Sequence, residues 1–403
     1  MPSASAGDRR LLMEVERGNL NDVKKLLKSG ANVNGSSTLE MRPLISAART
    51  GNATMLKLLI SKGAKLEVEA RNPHGARAVH AAISGERLDA LCVLLEAGVD
   101  YDARDGDGQT PLMLTSLAIT AGAMAEELLR VGADPSLKNH EGMSALHVAA
   151  GLNNTQVIGV ILAKAPSLLN AVDDKGFTPM GTASLRGQLA AVEYLLAAGA
   201  CDKDVAPERA SIFWAAEGGR DNMVRVMLEH GNIDSLGGLR AIPDSMGVAI
   251  QGRKARMLQR LISVEGEGRR RAWAECVMRH RPAIHLAAVW VSLRALSVLL
   301  AAGAKEGAMD VQGECASDII GVAMETFERD PHKEAALYRM LQRGPAFRAR
   351  SWAWPAEVVA FGSAAKPTEE AAPVTPLRGP VRFCRPTRVA RVFATRFARY
   401  AKK

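Results

Sequence analysis

Three histidines are the first residues of this chain that could do chemistry: His80 in "AVHAAI", His147 in "ALHVAA" and His285 in "AIHLAA". An imidazole titrates near neutrality and serves as general base, proton shuttle or metal ligand. These three are 67 and 138 residues apart, and each sits in the same local phrase, which is the mark of a repeated structural slot. A second candidate is "DARDGDGQT" at 102–110, where Asp105, Asp107 and Gly108 match three positions of a calcium loop. The match fails at its ends: Ala103 stands where the first carboxylate belongs, and Leu114 where the bidentate glutamate belongs. Cys92, Cys201, Cys276, Cys315 and Cys384 are odd in number and scattered, with no CxxC pair, so neither a disulfide framework nor a zinc site is indicated. No phosphate-binding lysine loop, nucleophile elbow, paired-histidine zinc helix or kinase signature occurs. The chain reads as a non-enzyme, with no cofactor and no metal.

What would position such residues is written at a fixed interval. "GQTPLM" begins at Gly108, "GMSALH" at Gly142 and "GFTPMG" at Gly176, each 34 residues after the last. A catalytic loop is needed once, whereas a phrase recurring at one period belongs to a unit stacked on copies of itself. Around the third copy, Thr178-Pro179 opens a short helix, since proline at the first helical position has no amide to lose and its φ is already helical. Gly187 closes that helix, and Val192, Leu195 and Leu196 recur at helical spacing in a second one that ends at Gly199-Ala200.

A turn followed by two antiparallel helices in about 33 residues, with a T-P-L-H-x-A phrase, resembles the ankyrin repeat. The resemblance covers roughly residues 9–344. Second helices end at Gly30-Ala31, Gly63-Ala64, Gly98-Val99, Gly132-Ala133, Ala165-Pro166, Gly199-Ala200, Gly231-Asn232, a degenerate stop near Val264, Gly303-Ala304 and Gly344-Pro345. The fold class expected is therefore all-α: an elongated solenoid of about ten helix-turn-helix units with turn and hairpin loops, followed by a mostly disordered basic tail. The first unit opens with a polar helix, Arg9 to Arg17, as a solvent-facing cap does. The eighth unit, near 236–281, has lost the phrase, with "GEGRRR" at 266–271 reading as an inserted loop. Leu26, Leu59, Leu94, Leu129, Leu162, Leu196, Leu228 and Leu300 are expected in the core. The resemblance implies that the three histidines hydrogen-bond between turns of neighbouring units and form no shared metal site.

The resemblance also implies binding of a protein partner through the turn tips and the concave face of the first helices. Residues there that packing does not require are Asp107 and Gln109; His140, Glu141, Met143 and Leu152; and Lys175, Phe177, Leu185 and Arg186. Phe177 stands out, because a large apolar group on a turn tip is expected to be covered by something, either a partner or the adjacent turn. Trp290 is placed equivalently in the ninth unit. Residues 1–8 are expected to be disordered and 345–380, rich in Pro and Ala, to be a linker.

The formal net charge of +9 sits at one end. Residues 371–403 hold nine Lys or Arg and no Asp or Glu, leaving the rest of the chain neutral. Within 381–403, "RVARVFATRFARYAKK" alternates apolar and basic residues at helical spacing, with Arg388, Arg391, Arg396, Arg399 and Lys402 on the polar side. A basic amphipathic helix of this kind suits an anionic partner, RNA or an acidic membrane surface, or docks on the chain's own body. A nucleic-acid-associated regulator and a peripheral membrane scaffold are thus the alternatives to a protein-binding adaptor. A ubiquitin-ligase adaptor is disfavoured: Pro380 occupies the leucine position before Cys384 and Pro386 interrupts the helix. The opening "MPSASAGDRR" lacks the apolar stretch of a secretory signal, and apolar runs stop near ten residues. A cytoplasmic (or nuclear) monomer is expected.

Overall fold

The computed structural model describes residues 6–35, 42–66, 75–231, 236, 238–263, 277–278, 281–310, 312–320, 336–337 and 339–341. The chain divides into two compact bodies, Met1–Trp214 with Glu229–Gly237, and Ala215–Leu228 with Gly238–Lys403.

The first body is built of helix pairs: α1 (Ala6–Glu16) and α2 (Leu20–Lys28), α3 (Pro43–Thr50) and α4 (Ala53–Ser61), α5 (Ala78–Ser84) and α6 (Leu88–Glu96), α7 (Pro111–Thr115) and α8 (Ala121–Val131), α9 (Ala145–Gly151) and α10 (Thr155–Lys164), and α11 (Pro179–Arg186) and α12 (Leu189–Ala197). A seventh pair, α13 (Ser211–Glu217) and α14 (Asp221–His230), follows, and the division between the bodies falls inside it. First helices pack in a row, α1 on α3, α3 on α5, α5 on α7, α7 on α9 and α9 on α11, and second helices α4, α6, α8, α10 and α12 form a parallel row. Buried small side chains make the first row tight: Ala47 and Ala48, Ala81 and Ala82, Ala149 and Ala150, and Ala183. The all-α, stacked helix-turn-helix class holds.

The second body repeats the plan. Its eighth pair, α15 (Gly238–Gln251) and α16 (Ala255–Ile262), forms without the signature phrase. Ile242, Met246, Ala249 and Ile250 are buried at helical spacing, so apolar period alone is enough to place the helix. A two-residue antiparallel pair, β1 (Val277–Met278) and β2 (Arg281–Pro282), leads into α17 (Ala283–Val289) and α18 (Leu293–Ala301). The expected loop at 266–271, the stop at Gly344, the linker and the basic tail lie outside the described residues.

The leucine column needs one correction of register. Leu59, Leu94, Leu129 and Leu300 are buried as expected, but Leu26, Leu162, Leu196 and Leu228 are only half-buried. The deepest position is the residue four before the stop: Leu59, Leu94, Leu128, Ile161, Leu195, Met227 and Leu299. Its carbonyl closes the helix, accepting for instance from Ala64 N, Val99 N, Ala133 N and Ala200 N. Ile161, Leu195 and Met227 thus stand one position earlier than the expected Leu162, Leu196 and Leu228, whereas Leu26, already four before Gly30 with Ala31 N on its carbonyl, is half-buried in the first repeat. The intervening glycine adopts a left-handed backbone, φ +82° at Gly63 and +87° at Gly199, with nothing within 4 Å of where a Cβ would stand. Conformation alone, not crowding, calls for glycine there.

Candidate binding surface

The histidines resolve first. His80 Nδ1 accepts from Arg77 N at 3.0 Å, and its Nε2 donates to Ala103 O, in the next turn, at 3.0 Å. His147 does the same: Ser144 Oγ stands 2.9 Å from its Nδ1, and its Nε2 reaches Phe177 O at 3.0 Å. His285 Nε2 meets Ala308 O at 2.6 Å. The first two rings therefore bridge successive repeats as neutral Nε2–H tautomers, and burial holds both below the ordinary histidine pKa. They are latches between repeats.

The calcium-like turn resolves by comparison with its neighbours. Asp105 Oδ1 accepts from Asp107 N at 3.0 Å and Gln109 N at 2.7 Å. Asn139 Oδ1 accepts equivalently from Glu141 N and Met143 N, both at 3.0 Å, and Asp173 Oδ1 from Lys175 N at 2.9 Å and Phe177 N at 2.8 Å. A neutral amide oxygen fills this slot as well as a carboxylate does, so the oxygen builds a turn. Among the described residues no group of three or more His, Cys, Asp or Glu could hold a metal.

One further titratable group is fully buried. Asp202 Oδ1 accepts from Thr178 Oγ1 and its Oδ2 from Ser211 N, each at 2.7 Å, so it ties the sixth repeat to the start of the seventh. Burial pushes its carboxyl above the usual carboxylate range. With both oxygens taken and no exposure, it is a clamp and not a general acid.

The tip residues divide into two sets. Asp107, His140, Glu141 and Lys175 are exposed, and Glu141 pairs with Lys175 Nζ at 2.8 Å from the next tip. Gln109, Met143 and Phe177 share the slot just before the helix N-cap, and there the expectation of an outward side chain is wrong. Gln109 is half-buried, Met143 is buried, and Phe177 is 4% exposed. The turn oxygen pins the amide of each of these residues, which turns the side chain inward. Phe177 meets the Trp214 ring edge-on at 5.6 Å, with the Arg209 guanidinium 5.0 Å from its centroid. The adjacent turn covers it. Trp290 is also misassigned: it is the C-cap of α17, the position Leu152 holds after α9, and it is half-buried. Arg388, Arg391, Arg396, Arg399 and Lys402 lie outside the described residues.

What the sequence reading missed is the connection between α7 and α8. It spans five residues, Ser116–Thr120, where Gly187 and Gln188 suffice after α11. It leaves Leu117 66% and Ile119 85% exposed. Neighbouring connections lie alongside: Asn154 Nδ2 donates to Ser116 O at 3.2 Å, Ala191 N to Asn153 Oδ1 at 2.9 Å, and Ile119 N to Glu86 Oε1 at 3.3 Å. On this rim also stand half-buried Leu152, exposed Leu185 and exposed Arg186. The available signal was "SLAIT", two apolar residues with no periodic partner inside a longer link.

Comparison with known proteins completes the picture. The family model described as ankyrin repeats (three copies) matches residues 11–105 and again 112–207. Over these residues the chain is built of ankyrin repeats. An ankyrin repeat protein of Fowlpox virus is 26% identical over 159 residues, 38% of this chain and 46% of the relative. Human neurogenic locus notch homolog protein 2 is 33% identical over 152 residues, 37% of this chain and 6% of the relative. The chicken nuclear factor NF-kappa-B p105 subunit is 32% identical over 148 residues, 35% of this chain and 14% of the relative. The match thus spans less than half of each relative. Ankyrin repeats are generally protein–protein interaction modules and typically carry no enzymatic activity. No described helix is long and apolar enough to cross a membrane.

Proposed function

We propose that the chain is a non-enzymatic adaptor that holds a protein partner along the rim formed by the connections between first and second helices. The observation that carries this reading is the exposure of Leu117 and Ile119 on a link longer than packing requires. Exposed large apolar side chains gathered on one edge are what a partner covers. Leu152, Leu185 and Arg186 extend the surface along two further repeats. The scaffold beneath is fixed by helix packing and by side-chain bonds between repeats, so docking orders little of it and costs little entropy. The tips Asp107, His140, Glu141 and Lys175 stand at the other end of the first helices and add a polar surface there.

The double substitution Leu117→Ser/Ile119→Ser should abolish capture of rim partners in affinity purification while shifting the midpoint of thermal unfolding by only about 1–2 °C, since neither side chain is in the core. Unchanged capture by that folded variant would rule the rim out. A second arm uses a chain lacking 381–403. The nine cations of 371–403 favour an anionic partner for that segment, and interactions lost only in this arm, and weakened steeply by salt, belong to the tail.

A further inference from the structure

We propose that the first body carries proton-releasable joints between its third and fourth and between its fifth and sixth repeats, alternating with joints that mild acid does not loosen. The pattern comes from one slot, three residues after each first-helix N-cap. It holds His80 in the third repeat, Met113 in the fourth, His147 in the fifth and Gly181 in the sixth.

At the two histidine joints burial and the backbone amide at Nδ1 favour the neutral tautomer. Nδ1 accepts from Arg77 N or from Ser144 N and Oγ, while Nε2–H reaches the carbonyl of Ala103 or Phe177 in the next repeat. At His80 a proton added at Nδ1 points at the Arg77 backbone N–H, leaving two donors face to face; at His147 it displaces the Ser144 N–H and turns the Ser144 hydroxyl from donor to acceptor; and at both it places a charge where there is almost no contact with water. The charged neighbours do not offset this. His80 has Asp105 across the joint and Arg77 beside it, and His147 has Asp173 across the joint and Lys138 nearby. Asp105 and Asp173 already accept two amides each through Oδ1. Burial outweighs them, and both histidines are held below 6.5. The closed joint therefore binds fewer protons than the open one. Its stability is full above the open-state value of 6.5 and falls as pH drops through the folded value.

The other two joints behave differently. Between the fourth and fifth repeats Met113 fills the slot, is fully buried and has nothing to titrate. Between the sixth and seventh, Gly181 leaves room for Phe177, whose Cδ1 is 3.4 Å from where a Cβ would stand, and Asp202 makes the bond between repeats. No described cation pairs with Asp202; its neighbours Lys203 and Asp204 are exposed and Arg209 lies over Phe177. With its carboxyl raised by burial, stability from this clamp is greatest in acid and declines as pH rises through the folded value, the opposite sign to histidine. The dipeptide Phe177-Thr178 is thus gripped from both sides by groups of opposite response.

Single-amide hydrogen exchange on the full chain at about pH 7.5 and about pH 5.5, corrected for intrinsic rates, tests this. The amides of Arg77 and Ser144, which donate to the imidazoles, should open about tenfold more per pH unit below 6.5. That of Met113 should change by less than about threefold, and that of Ser211 should open no more at the lower pH than at the higher. A His80→Gln/His147→Gln chain should lose the acid response. Should that variant fail to fold, the four amides of the wild-type chain decide by themselves. An equal rise at all four, no rise at Arg77 and Ser144, or a rise that persists in the glutamine variant overturns the proposal.

Discussion

Replacing Phe177 by alanine lowers the unfolding free energy of the first body by about 3–5 kcal/mol. Read from sequence, this side chain is covered either by a partner, so that truncation would spare stability, or by the adjacent turn. The structure has the turn cover it. Phe177 is 4% exposed, packs edge-on against Trp214 and lies beneath the Arg209 guanidinium. Truncation empties a space between the sixth and seventh repeats and forfeits the ring pair, itself worth about 0.5–1.5 kcal/mol. The backbone carbonyl that receives His147 is retained, so the loss is one of packing. Denaturant unfolding of wild type and variant measures it. Unaltered stability accompanied by loss of a binding partner would show that Phe177 faces outward after all.

The second large effect separates two adjacent leucines. Leu195→Ala should cost about 2–5 kcal/mol, whereas Leu196→Ala should cost about 1 kcal/mol or less. Leu195 is fully buried, and its carbonyl closes α12 through Ala200 N. Leu196 is half-buried on the same helix. Both substitutions put a better helix former on one helix, so propensity cancels between them and burial is left to decide. The comparison uses denaturant midpoints of the two variants. Equal costs, or a larger one at Leu196, would mean that the deep position sits three residues before the stop glycine and not four.

Much of the fold was readable because it is written repeatedly. Stop glycines, N-cap residues and alanine pairs are local requirements, and a local requirement leaves the same letter in each copy. Leu59 and Leu94 were placed correctly for that reason. Leu162, Leu196 and Leu228 were not, because a run such as "YLLAAG" fits two registers and only the carbonyl that closes the helix tells them apart. The histidine latches were legible, since their slot has a fixed neighbourhood. The candidate surface was less so. Which way Met143 and Phe177 face depends on a turn oxygen four residues earlier and on the repeat that follows, and a single window of sequence shows neither. Leu117 and Ile119 were overlooked because the eye follows periodicity, and their exposure is a departure from it. Asp202 gave no sign: an aspartate in "CDKDVAPER" looks like any solvated hairpin residue until Thr178 and Ser211 close on it.

The glycines that end the second helices carry a consequence for handedness. At Gly30, Gly63, Gly98 and Gly199 the backbone adopts φ between +81° and +91°, with open space on the side where a side chain would project. That is the region natural for residues of mirror-image configuration. A chemically assembled version of this chain with D-alanine at the four sites would hold this backbone without conformational strain and would leave the unfolded polymer with fewer shapes to explore. Ordinary L-alanine at the same sites is opposed by its own backbone.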